Sequence, residues 1–140
     1  MILNGDVDQK KEAPKILLLE DYPDLLGFYS SRLREAGFDL RVESDEDHGL
    51  AVALREKPDL IILDISLPKA EDFWFIKETK KHPEIADVPV VILTDLAAPE
   101  DIAAGKKAGA SAYLIRDNFT FAQVIAKIKE VIEKHRSIGA

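Results

Sequence analysis

The chain has 140 residues, 46% hydrophobic and 32% charged, with 26 acidic against 19 basic side chains for a formal charge of −7, and no cysteine. This is soluble globular material of single-domain size, in which no apolar run approaches the ~18 residues that span a bilayer. Disulfides and thiolate metal sites are excluded, so any metal would be a hard, oxygen-bound cation, and the acidic balance argues against direct nucleic-acid binding, which rests on basic residues.

Residues 1–14 carry Asp, Gln, Lys and Glu without an apolar stretch, so they cannot serve as a signal peptide. A flexible tail, a domain over 15–136, a short tail over 137–140 and a cytoplasmic location are expected. Lys15-Ile16-Leu17-Leu18-Leu19 reads as a first strand, a short continuous apolar run of the kind buried on both faces, and it ends in the acidic pair Glu20-Asp21. From Pro23 to Ala36 the apolar positions Leu25, Leu26, Phe28, Tyr29 and Leu33 recur at helical spacing, with Arg32, Arg34 and Glu35 outward and Gly37 as a stop. Phe38 to Val42 alternates as a second strand, and Ser44-Asp45-Glu46-Asp47 opens a helix to about Lys57 with Leu50, Ala51 and Leu54 inward. Pro58 ends that helix. The run Leu60-Ile61-Ile62-Leu63 is the third strand, and it delivers Asp64 where the chain leaves the core.

An acidic turn at Glu71-Asp72 precedes a helix over Phe73 to Lys81, whose cluster Phe73-Trp74-Phe75 reads as core. Pro83 to Val88 is a loop, and Pro89-Val90-Val91-Ile92-Leu93 is a fourth buried strand with Thr94-Asp95 at its carboxyl end. Pro99-Glu100-Asp101 supplies the proline and acids that a first helical turn favours, and the helix runs to Gly109, weakened by Gly105 within it. Ala112-Tyr113-Leu114-Ile115 is the fifth strand, Arg116-Asp117 its exit, and Phe119 to about Arg136 a final helix with Phe121, Val124, Ile125, Ile128, Val131 and Ile132 inward.

Strands alternating with helices in this way imply right-handed crossovers and an α/β fold, a doubly wound parallel sheet covered on both faces. In the five-strand order 2-1-3-4-5 the switch point lies between the ends of strands one and three, where such sheets bind ligands. Glu20, Asp21 and Asp64 then share one crevice. Taken by itself Asp64 is a nucleophile, a metal ligand or a cap. Three carboxylates at close range cannot all stay ionised cheaply without a cation, and magnesium, which takes a few carboxylates and keeps several waters, is the natural guest. It would also let an anionic phosphodonor approach an aspartate, which makes a covalent aspartyl phosphate conceivable.

The acidic pair closing strand one, Asp64 closing strand three with Pro68 four residues on, Thr94 closing strand four and a basic residue closing strand five form a recognisable pattern. It resembles the receiver domains of bacterial two-component response regulators, the CheY-like branch of the flavodoxin-like folds, over roughly residues 15–136. The resemblance implies that Asp64 is the phosphoacceptor, Asp21 a direct Mg2+ ligand, Glu20 a ligand through water, and Ser66 the donor of a backbone carbonyl. It implies that the Thr94 hydroxyl binds the phosphoryl group, that Arg116 faces it, and that Tyr113 is a switch aromatic. It further implies a signalling module and not an enzyme. Such a module takes phosphate from a histidine kinase or histidine phosphotransfer protein and presents a changed face to a downstream protein or output domain, with a homodimer through helix four, strand five and helix five as one arrangement.

Arg116-Asp117 stands where the family usually has Lys-Pro, and a planar guanidinium is not geometrically equivalent to a compact ammonium. Without the proline a cis peptide, costing ~3 kcal/mol, is not expected at that bond. Asp95 stands where a small residue is usual and Asp72 where glycine is common. These departures lead to two expectations: that Arg116 lies across Asp64 and Asp95 at rest, and, as the alternative function, that the chain binds partners without phosphorylation. An aspartate-nucleophile phosphatase is set aside because Ser66 occupies the place of its second Asp, and a flavin site because no Ser/Thr/Gly-rich loop follows strand one.

Overall fold

A computed structural model describes residues 13–20, 23–65 and 73–139. Its strands, β1 (Lys15–Glu20), β2 (Asp39–Glu43), β3 (Leu60–Ile65), β4 (Val90–Thr94) and β5 (Ala112–Ile115), form one five-stranded sheet in the order β2-β1-β3-β4-β5. Every adjacent pair is parallel. The helices between and after them are α1 (Pro23–Glu35), α2 (Glu46–Glu56), α3 (Trp74–Lys80), α4 (Pro99–Ala108) and α5 (Phe121–Gly139).

Alternate residues of the apolar strands feed two separate cores, as the period of two requires. Ile16, Leu18, Leu60, Ile62, Val91 and Leu93 pack under Tyr29 and Leu33 of α1 and Val124, Ile128 and Ile132 of α5. Leu17, Leu19, Ile61, Leu63, Val90 and Ile92 pack under Val52 and Ala53 of α2 and Phe75 and Ile76 of α3. Burial on both faces is why these strands carry no polar alternation. Glu20, which ends β1, and Asp64, the last residue but one of β3, are therefore set apart from everything that precedes them.

Local chemistry fixes the helix ends. The Asp45 side chain accepts from the His48 N–H at 3.1 Å and caps α2. Gly37 and Gly109 adopt φ of 97° and 120° where α1 and α4 stop, a region that L side chains avoid. A 3-10 turn over Arg116–Asn118 follows β5, and α5 starts at Phe121 behind a reciprocal pair. In it the Thr120 N–H donates to Gln123 Oε1 at 2.8 Å and the Gln123 N–H to Thr120 Oγ1 at 3.2 Å.

Three packing expectations shift. Ala51 faces solvent, and α2 instead buries Gly49, Val52 and Ala53, because Gly49 lets the helix settle on Leu19: a Cβ there would stand 2.8 Å from Leu19 Cδ2. Phe73 and Phe75 are core, but Trp74 between them is 37% exposed, since neighbouring helical positions point about 100° apart. Helix α5 continues past Arg136 to Gly139. Residues 1–12, Asp21, Ser66, Glu71 and Asp72, together with the side chains of Leu25, Leu26 and Phe28, lie outside the described residues.

Replacing Thr120 by Ala removes one half of the pair that opens α5, and a loss of about 1 kcal/mol is expected in chemical unfolding. A variant as stable as wild type would show that α5 draws its start from packing alone.

Candidate functional site

Register brings the polar strand ends together. Glu20 pairs with Asp64 across β1 and β3, Thr94 pairs with Ile65 across β3 and β4, and Ile115, the residue before Arg116, pairs with Thr94 across β4 and β5. Glu20 and Asp64 are each 1% exposed and Thr94 is fully buried. Asp64 is still inside its strand, one residue short of its end, and not at the exit.

The 3-10 turn after β5 folds Arg116 back over this cluster. Its Nη2 makes an ion pair with Asp64 Oδ1, and its Nη1 lies 3.1 Å from Asp95 Oδ1. The expected span from Asp64 to Asp95 is thus present. Tyr29 of α1 faces the same guanidinium with its hydroxyl. Burial pushes the Tyr29 pKa up, against the pull of the Arg116 cation beside it. Its ring also lies 5.9 Å from that of Phe121, over which the Arg32 guanidinium stands 5.6 Å from the ring centre.

Two buried carboxylates on adjacent strands, with no nitrogen or sulfur donor among them, fit a hard divalent cation. No group of three His, Cys, Asp or Glu that could hold a metal occurs among the described residues, and Asp21 and Ser66, the further expected contributors, lie outside them.

Residues 16–129 match the family described as the response regulator receiver domain. The chain belongs to that family. It is 32% identical over 121 residues, 86% of its length, to the DNA-binding dual master transcriptional regulator RpaA of Synechocystis. It is 33% identical over 126 residues, 90% of its length, to the transcriptional regulatory protein HprR of Escherichia coli. Those matches take in 50% and 55% of the two regulators, so the chain spans about half their length. Among solved structures, the BeF3-activated N-terminal receiver domain of Klebsiella pneumoniae RstA superposes with a TM-score of 0.74 at 28% identity, over 84% of this chain and 97% of that one. The receiver domain of the sensor histidine kinase PA1611 of Pseudomonas aeruginosa, described with a magnesium ion coordinated in its active site cleft, gives 0.76 at 26%, over 86% and 98%.

Beside the acids, the receiver carries a short hydrogen-bonded chain. The Leu96 N–H donates to Thr94 Oγ1 at 3.2 Å, and the Tyr113 hydroxyl donates to the Leu96 carbonyl at 3.1 Å. One backbone residue of the β4–α4 loop therefore links Thr94 to Tyr113. The ring of Tyr113 is half-buried because α4 has no side chain at Gly105: a Cβ there would stand 2.8 Å from Ile92 Cδ1 and 2.9 Å from Tyr113 Cδ2. Gly105, read from the sequence as a weak point of the helix, is a seat for that ring. Tyr29, read as core, is both core and part of the site's wall.

Burial, reinforced by the charge of Asp101, pushes the Tyr113 hydroxyl from 10.0 to about 12. A phenol harder to ionise in the folded protein lends stability that is complete below pH 10 and is lost as pH rises toward about 12. Replacing Gly105 by Ala favours the helix by up to ~1 kcal/mol, so the fold is retained. The added methyl is expected to push the ring outward, break its bond to Leu96 and return its ionisation toward 10.0, read by NMR titration of the Tyr113 ring carbons. An unchanged titration would show that the ring does not depend on Gly105.

Proposed function

We propose that this receiver accepts a phosphoryl group on Asp64 and relays that event through Thr94 and Tyr113 to a partner surface. The observation that carries the reading is the assembly of Glu20, Asp64, Thr94 and Arg116 at one carboxyl edge of the sheet, with Asp64 central and buried. In this reading a carboxylate oxygen of Asp64 attacks the phosphorus of a phosphohistidine, the P–N bond breaks, and the imidazole leaves with a proton. The donor is a histidine kinase or a histidine phosphotransfer protein.

Glu20, Asp21, Asp64 and the backbone carbonyl of Ser66 would hold Mg2+, which when bound supplies charge neutralisation for the in-line transfer. The Thr94 hydroxyl meets the phosphoryl group and the Arg116 cation faces its oxygens. A Thr94 drawn toward phosphate pulls on Leu96, and Leu96 pulls on Tyr113. The surface formed by α4, β5 and α5 is then the face offered to a downstream protein, an output domain or a second copy of the chain. No helix among the described residues is long and apolar enough to cross a membrane, which suits a module placed in the cytoplasm. It acts by switching and not by turnover. The phosphorylation-independent alternative is not favoured, because Glu20, Asp64 and the Thr94 hydroxyl lie at one edge of the sheet.

Incubation with a small acyl phosphate and Mg2+ is expected to add one phosphoryl mass to the intact protein, with no addition in Asp64→Ala or after chelation of Mg2+. Persistence of the added mass in Asp64→Ala would move the site elsewhere, and absence of any addition in wild type would favour the phosphorylation-independent module.

A further inference from the structure

Two of this chain's unusual residues meet in space. The Arg116 guanidinium faces Asp64, whose side chain is fully buried, with Nη2 and reaches Asp95 Oδ1, whose side chain is 59% exposed, with Nη1 at 3.1 Å. A flat guanidinium presents N–H groups in two fixed directions at once, whereas a lysine ammonium is a single compact charge on a mobile stem. Asp95 standing alone would be a liability, because it places an acid directly after Thr94 where an anion is to bind.

We propose that Asp95 is a positioning residue for Arg116: it holds one edge of the guanidinium at the mouth of the site and leaves the other edge free to exchange Asp64 for a phosphoryl oxygen. The inference rests on the phosphoacceptor reading of Asp64. Arginine and a lone carboxylate favour two parallel N–H···O bonds, fork on fork. Here the fork is divided instead, with Nη2 against Asp64 Oδ1 and Nη1 toward Asp95 Oδ1. Asp95 draws the outer nitrogen away, and the Tyr29 hydroxyl bounds the guanidinium from α1. The acid that would repel phosphate is neutralised by the same cation that is to greet it, so the two departures from the family pattern compensate each other.

The consequence has a sign. Simple electrostatics says that deleting a carboxylate beside an anion site strengthens anion binding. If Asp95 positions Arg116, Asp95→Ala instead lets the guanidinium turn its second N–H edge onto Asp64 as well, and anion binding weakens. The test compares wild type, Asp95→Ala, Arg116→Lys and the double variant by calorimetric titration with fluoroberyllate in the presence of Mg2+. The Arg116 Nε–H resonance is followed by NMR in metal-free wild type and Asp95→Ala.

Asp95→Ala is expected to weaken fluoroberyllate binding by roughly twofold to fivefold, the range that an exposed ion pair supplies, and to move the Arg116 resonance. In the Arg116→Lys background the same change is expected to strengthen binding, because an ammonium has no fork to close. Stronger binding by Asp95→Ala in the presence of Arg116, or an unmoved Arg116 resonance, overturns the proposal. If none of the four proteins binds fluoroberyllate while the resonance moves, the pairing of Asp95 with Arg116 stands and the phosphoacceptor reading of Asp64 falls.

Discussion

A carboxylate with no exposed side-chain surface sits inside the central strand of this sheet, next to a second buried acid, and the surrounding structure is an answer to that charge. Burying an ionised group costs several kcal/mol unless a partner of opposite sign comes with it. The parallel register leaves no latitude: Glu20 must lie beside Asp64 once β1 and β3 pair, and both faces of the strands are already filled by apolar side chains. Only the carboxyl edge is open to a cation. Arg116 arrives there from β5, two strands away, because the chain turns back in a 3-10 turn immediately after that strand.

The same edge carries a short hydrogen-bonded chain. Thr94, Leu96 and Tyr113 are joined by hydrogen bonds that pass through a loop, the part of an α/β fold most easily moved, and they end on a ring resting against a helix that lacks a side chain at the point of contact. Thr94 and the ring of Tyr113 are thus connected by two bonds, each above 3 Å and each breakable at modest cost. The cores on either side of the sheet, with Ile16, Leu17, Leu18, Leu60, Ile61 and Ile92 fully buried, supply a rigid frame around them.

Most of this was legible in the sequence because it depends on short, unbroken patterns. The runs Ile16 to Leu19, Leu60 to Leu63 and Val90 to Leu93 have no polar interruption, so their burial, their parallel pairing and the place of Glu20, Asp64 and Thr94 at one edge follow from period and order alone. What escaped was set by tertiary fit. Ala51 has the hydropathy of an inward residue, yet the turn of α2 is decided by how closely Gly49 approaches Leu19. Gly105 looks like a defect until Tyr113 is seen beneath it, and Tyr29 looks like a core aromatic until Arg116 is seen at its hydroxyl. A glycine in mid-helix is a costly choice that asks for a packing reason, and that was the available clue. The contributions of Asp21 and Ser66 lie outside the described residues, so their place in the site rests on sequence position.

If the charge of Asp64 is what Arg116 is there to balance, removing the balance must be felt by the whole domain and must be repairable by another cation. The direct test is thermal unfolding of Arg116→Met over a titration with Mg2+, beside wild type. Breaking a buried pair from one side costs about 3 kcal/mol or more, so the metal-free variant is predicted to melt well below wild type, and Mg2+, by binding the folded state at the freed carboxylates, is predicted to raise the variant's melting temperature more than that of wild type. A metal-free variant as stable as wild type, with no greater response to Mg2+, would contradict the account.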